Sequence, residues 1–458
     1  MGDAVLQYAA GYRQRRFLNW FFMGLAYGFL YWGRYNLTVA KTSLGSLMTN
    51  ADFGFIFGAG TIVYAFSFLV NGPLTDKYGG RITMLFALAG SAIMNALMGL
   101  ALTLVMISGV IPKENMTAVF AALYMVNMYF QSIGAVAIVK VNAPWFHVSE
   151  RGWLGGRFGA MISMGLFFAF DVSSRLMEYL KGTGPGGMDA NWWVFFAPAI
   201  GLAVMWVVEY ILLQDRPSGA GFPDIDTGVP EMAKDEKPLP LLQLFKSVFS
   251  NPILITVAMI GICTGALRDG MMHWVPIYFR TPVGPGPTSG LGLDMHHPIN
   301  ANWGLMLMCA GIIGPLFGGW ARDKVFHSRN FPPATIFYGI LILSVGAMYF
   351  ALGHPYAMAA LGFCMALSYI GSQGLLTATA AMDFGGKARA TATGVIDGFV
   401  YIGTAFQSVC LGQITSHDWH WWPVFLMPFA IIGFILCLRV WHVRADKNGG
   451  VSKSGGAH

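Results

Sequence analysis

Charge is the scarcest property of this chain. Asp, Glu, Lys and Arg together make up 11% of its 458 residues, against about 25% in an ordinary soluble protein. Apolar residues reach 55%, and the mean hydropathy is +0.56. A soluble fold could not hide that much apolar surface, so the composition excludes a soluble globular protein and points to a polytopic membrane protein. Cysteine is sparse as well: Cys263, Cys309, Cys364, Cys410 and Cys437 all fall in apolar runs without CxxC spacing. That pattern argues against a disulfide framework or a metal knuckle. The histidines of DMHHPIN (294–300) and HDWHWW (417–422) lack paired ligand clusters, so no metal is expected. There is no nucleophile–base constellation, Walker loop or Gly-x-Gly-x-x-Gly after a strand, so neither an enzyme nor a cofactor is expected.

What is present is a series of long apolar runs. A helix needs about 20 apolar residues to cross the hydrocarbon core. Such runs fall at 16–40, 53–74, 82–108, 117–141, 153–180 and 191–213, then at 253–279, 300–321, 334–353, 355–379, 390–415 and 420–441. RQRR (13–16) leads into a run too long for a signal-peptide core, so it reads as the first span. The interval 214–250 is rich in Pro, Gly and charge and reads as a linker. The expected organisation is a six-helix bundle (1–213), a cytoplasmic linker (214–250), a second six-helix bundle (251–442) and a cytoplasmic tail (443–458) ending in disordered VSKSGGAH. Most of the 28 basic residues fall in loops on the side of both termini. Cytoplasmic loops gather Lys and Arg, so both termini are expected inside, and the net charge of +6 implies no nucleic-acid partner.

The halves echo one another. GPLTDKYGGR (72–81) follows the second span and GGWARDKVF (318–326) follows the eighth. Each sets glycine and then Asp-Lys at a short turn, giving Asp76, Lys77, Arg81, Asp323 and Lys324 as candidate gating residues. Lys140, near the end of the fourth span, can snorkel and joins them as a gating or orientation residue. This repeated loop in a six-plus-six chain resembles the major facilitator superfamily. The resemblance implies an all-α membrane protein of twelve helices, with two pseudo-symmetric halves that rock about a central site.

Two arginines interrupt the apolar runs. Arg34 sits in GFLYWGRYNLTVA (28–40) and Arg268 in TGALRDGMMHWVPIYF (264–279), on the repeat-related first and seventh spans. They lie about 18 and about 15 residues into their spans, which at about 1.5 Å per residue is mid-membrane depth. A buried guanidinium costs a few kcal/mol or more in lipid. The matched pair is therefore expected to face a central cavity that an anion visits. Arginine's planar fork suits a tetrahedral oxyanion such as phosphate; the alternative is pairing with nearby carboxylates.

Tyr27, Tyr31, Arg34 and Asn36, then Leu267, Arg268, Gly270, Trp274, Pro276 and Tyr278, resemble the first- and seventh-helix patterns of the organophosphate:phosphate antiporters. DRPSGAGFPDID (215–226), Glu150-Arg151-Gly152 and Tyr401 are similar to further motifs of that family. The resemblance covers nearly the whole chain. It implies exchange of an organic phosphate or phosphonate for inorganic phosphate, with both arginines on the phosphoryl group, by a monomer in the lipid bilayer of a bacterial-type inner membrane. It also implies one rival, a transporter-like membrane sensor, while the intramembrane carboxylates Asp397 and Asp269 leave a second, a proton-coupled carrier of another anion or zwitterion. The sequence departs from the glycerol-phosphate branch at Phe68, where a lysine is expected, at Ile162 and Ser163 near an expected histidine, and at Gly265 in place of a tyrosine.

Other intramembrane charges complete the candidate set. Asp269 follows Arg268 directly; side chains one residue apart on a helix point roughly 100° apart, which argues against their pairing. Asp397, one turn before Tyr401, could carry a proton, bind an ammonium group or neutralise an arginine. Asp171 and Arg175 have the spacing of an intrahelical ion pair. His273 reads as an interhelical hydrogen-bonding group near the site.

Overall fold

The computed structural model describes residues 9–147, 150–227, 243, 246, 248–376, 389–445 and 451–453. Among these run twelve long helices: α1 (Tyr12–Leu44), α2 (Asn50–Tyr78), α3 (Gly80–Thr103), α4 (Met116–Asn142), α5 (Arg157–Tyr179), α6 (Trp193–Leu212), α7 (Pro252–Arg280), α8 (Trp303–Val325), α9 (Phe331–Ala351), α10 (Pro355–Leu376), α11 (Ala392–Thr415) and α12 (Trp421–Arg439). Ten are long and apolar enough to cross a membrane, and α2, which bends, makes eleven. The 33-residue α1 is less apolar because it carries Arg34, Asn36 and a row of tyrosines.

Local chemistry starts these helices where the apolar runs begin. Thr49 and Asp52 form a reciprocal capping box at α2. Asn251 accepts from the Ile253 amide at 3.0 Å, ahead of Pro252 in the first turn of α7. The α2–α3 turn is carried by Gly79 at φ +86°, and Asp215 of the stretch after α6 packs against it. The Asp215 carboxylate also accepts from the Arg81 amide at 2.7 Å. The two loop motifs are therefore one structural unit at the face bearing the chain ends.

The packing repeats itself. In the first half α1 packs on α4, α5 and α6, α4 on α2 and α3, and α3 on α6. In the second half α7 packs on α10, α11 and α12, α10 on α8 and α9, and α9 on α12. Each contact is the image of another six helices on. The halves meet through α2 with α11 and through α5 with α8, again images of each other.

The two faces differ. Described hydrogen bonds between the halves run from mid-depth, Arg34 to Tyr401, outward to Asn50–Thr415 and Arg280–Ser174 at the face opposite the termini. One apolar core continues across both halves on that side. Toward the termini, the separate clusters around Met23 and Leu88 and around Tyr12 and Trp145 are built from the first half and the stretch after α6. The opposite face is sealed, and among the described residues the termini-bearing face is divided.

Two expectations are corrected here. Asp171 and Arg175 do not pair with each other. A π turn at Phe168–Val172 breaks the α-helical spacing. The Asp171 oxygens accept the amides of Gly304 at 2.6 Å and Leu305 at 2.8 Å, while Arg175 donates to Asn302 at 3.2 Å. The unsatisfied amides opening α8 are the stronger claimant on that carboxylate. The tail is not wholly disordered: Val443–Ala445 pairs antiparallel with Val451–Lys453. Its intervening residues, most of 228–247 in the linker, and Lys387 of the basic loops lie outside the described residues.

Candidate functional site

At mid-depth α1 presents Tyr27, Tyr31 and Tyr35 at successive turns, with neighbouring rings 5.3 Å apart. Arg34 lies beside this ladder, wholly buried. Its guanidinium carbon stands 4.8 Å from the Tyr31 ring centre and 4.4 Å from that of Tyr64 on α2. It donates to the hydroxyls of Tyr401 and Tyr64, each at 3.2 Å, and to Gln131 Oε1 of α4 at 3.4 Å. None of these acceptors is a carboxylate. Arg34 Nε and Gln131 Nε2 are buried without a partner among the described residues. A buried cation with orphan donors is a site that an anion would complete.

Arg268 on α7 is arranged differently. Its Nε donates to Asp269 Oδ1 at 3.1 Å and its Nη2 to Asp269 Oδ2 at 2.8 Å, while Nη1 reaches Gln373 Oε1 on α10 at 3.2 Å. This corrects the expectation that Asp269 points away. The arginine chain is long enough to fold back around the helix, and the Thr404 hydroxyl of α11 donates to the same carboxylate and holds it inward. The Tyr401 ring lies 5.3 Å from the Arg268 guanidinium, while its hydroxyl accepts from Arg34. One side chain thus joins both arginines, and the Tyr64 ring lies tilted against it with ring centres 4.3 Å apart.

Glycine brings Tyr401 there. A Cβ at Gly265 would stand 1.9 Å from the Val400 carbonyl, and one at Gly403 would stand 2.1 Å from that of Ile262. Only bare backbone permits so close an α7–α11 crossing. This is the physical reason that no tyrosine occupies position 265. Ser163 donates to Gly159 on its own helix, Ile162 packs among apolar neighbours, and the side chain of Phe68 lies outside the described set.

The other candidates scatter. Asp397 shares the α11 face of Tyr401 and Thr404, and its charge faces Arg268 and Tyr27 with no hydrogen bond among the described residues. His273 is buried and shares a proton with Thr38 of α1 at 2.7 Å. Lys140 pairs with Asp76 at 2.6 Å, both exposed and within the first half. Lys77 lies over the Tyr78 ring at 5.1 Å, and Arg81 donates to the Tyr210 carbonyl. Asp323 lies 3.8 Å from Arg322 in a closing π turn that also holds Lys324. None of these loop residues approaches the arginines. Tyr35, Tyr64, Gln131, Gln373 and Thr404 escaped the sequence reading. The available signal was a polar side chain inside an apolar run, which several unrelated positions share.

The sequence profile of the Major Facilitator Superfamily matches residues 23–408. The membrane sensor protein UhpC of Salmonella typhimurium is 25% identical over 408 residues, 87% of this chain and 84% of its own. The glycerol-3-phosphate transporter of Bacillus subtilis is 26% identical over 412 residues, 86% of this chain and 85% of its own. Among solved structures, a bacterial homolog of the human lysosomal transporter Spinster matches with TM-score 0.68 at 12% identity, over 94% of this chain and 98% of that one. At that identity the likeness shows the fold alone. Twelve helices, mirrored packing and the profile match agree that this multi-pass membrane chain is not an enzyme and belongs to the Major Facilitator Superfamily.

Proposed function

We propose that the protein exchanges an organic phosphate or phosphonate for inorganic phosphate by alternating access, with Arg34 and Arg268 holding the phosphoryl group. The observation that carries this reading is the convergence of two buried guanidinium groups on Tyr401, one of them with no carboxylate partner among the described residues. The relatives named for glycerol-3-phosphate transport support the phosphate-ester class. The protein acts as a monomer in the cytoplasmic membrane of a bacterial-type cell, with both termini inside. The test is counterflow in proteoliposomes. Labelled phosphate should enter phosphate-loaded vesicles far faster than empty ones, and equal rates would argue for uniport or ion symport.

Two specific observations favour other readings. Relatives named as membrane sensors favour a sensor of a phosphorylated metabolite, which would bind phosphate esters and show no flux. Asp397, without a hydrogen-bond partner among the described residues and facing Arg268, favours proton coupling, which would make uptake follow an imposed pH gradient.

A further inference from the structure

We propose that Asp269 is a positioning residue that makes Arg268 the releasable member of the arginine pair. Arg34 then holds phosphate as a standing anchor, and Arg268 does so only in competition with its own carboxylate. This rests on the phosphate-exchange reading above. Arg34 spends its donors on two phenol oxygens and an amide oxygen, all neutral, and keeps Nε open. Arg268 turns its Nε–Nη2 edge, the edge able to grip two phosphoryl oxygens, onto Asp269.

Asp269 cannot drift away. It is the next residue on α7, and the Thr404 hydroxyl from α11 also holds it. Nor is it stranded when an anion draws Arg268 off. It keeps Thr404, and His273 Nε2 stands 3.7 Å from Oδ1 without a hydrogen-bond partner among the described residues, its other ring nitrogen engaged with Thr38. The carboxylate therefore has a second partner within a small movement, one tied to α1 of the other half. An anion gripped by two unopposed arginines would load well and leave slowly. A carrier needs occupancy weak enough to reverse, as conduction sites do.

The experiment compares wild type with Asp269→Asn, using inorganic phosphate as the probe. Binding is measured by calorimetry on purified protein, and KM and turnover by phosphate:phosphate exchange in proteoliposomes. Removing one negative charge within a few ångströms of the anion should tighten binding about tenfold or more at an effective dielectric near 20. KM and turnover should fall together, and Asp269→Glu should move both back toward wild type. A purely structural brace would instead lose affinity with stability. Asp269→Ser is the second neutral variant, with melting temperature as the check on folding. Exchange by wild type with no tighter binding by either neutral variant overturns the role of Asp269 alone. Wild type that neither binds nor exchanges phosphate overturns the exchange reading and this role with it.

Discussion

Replacing Arg34 with Lys and, separately, Arg268 with Lys separates an anchor from a partner that is already paired. Lysine keeps the charge but loses the planar fork. Arg34 is fully buried, its Nη donors are held only by neutral oxygens that a phosphoryl group can displace, and its Nε has no partner among the described residues. A charge-assisted hydrogen bond contributes about 1.5–3 kcal/mol, and about 1.4 kcal/mol is tenfold in affinity. Arg34→Lys is thus expected to weaken phosphate binding roughly ten- to hundredfold. At Arg268 the fork is already committed to Asp269, leaving the smaller loss, about tenfold or less by the same figures. Phosphate binding to purified protein and counterflow in vesicles both read this order, with melting temperatures confirming that each variant folds. Wild-type affinity in Arg34→Lys, or a larger loss in Arg268→Lys, would refute the assignment of Arg34 as the anchor.

Asp397→Asn is expected to leave inorganic phosphate binding intact while weakening amine-bearing phosphate or phosphonate substrates about tenfold or more, the loss of one charge-assisted contact. A parallel loss for amine-free esters would remove the ammonium contact. Gly265→Ala should destabilise the fold by about 1–3 kcal/mol or more, because its Cβ would meet the Val400 carbonyl; an unchanged melting temperature would mean that the α7–α11 crossing is looser than described. Asp171→Ala strands the buried Gly304 amide, at about 1–3 kcal/mol, and the part-buried Leu305 amide at less, and should loosen the sealed face. Faster labelling of a cysteine placed at Val39, in a background without native cysteines, reports that opening, and an unchanged rate counts against the seal. Lys140→Ala removes an exposed pair and should change stability by less than about 1 kcal/mol.

The helices and their pairing were legible because each rests on a local signal. Apolar runs of spanning length mark the helices, and a repeated Gly…Asp-Lys turn marks the duplication. How far along their helices Arg34 and Arg268 lie followed from helical rise alone. Their partners did not, because Tyr64, Gln131, Gln373 and Thr404 come from four other helices, and helix periodicity says nothing about which faces meet. Asp269 misled for a different reason. A rule about where Cβ atoms point does not limit a side chain as long as arginine, once Thr404 fixes the carboxylate. At Asp171 a single π turn shifted the register, and the amides opening α8 offered a better partner than Arg175.

The placement of charge also explains how the proposed cycle could turn at modest cost. On the termini side, the described ion pairs Arg16–Glu150 and Asp76–Lys140 stay within the first half, so they travel with a rigid body and need not break. Across the opposite face the halves are joined by hydrogen bonds, Arg280 to Thr42, Ser174 and Asn300 within and between halves, and Asp171 to the start of α8. Each charged group there regains water when the face opens, which offsets the bonds it loses. At the pivot, Tyr401 alone among the described side chains hydrogen-bonds Arg34 across the halves. A phosphoryl group between Arg34 and Arg268 would add charge-assisted bonds at that depth, tying the halves together while the outer contacts part. Among the described side chains the empty carrier keeps there the Tyr401 phenol and the Thr38–His273 hydrogen bond, so the loaded form is the one better equipped to rock.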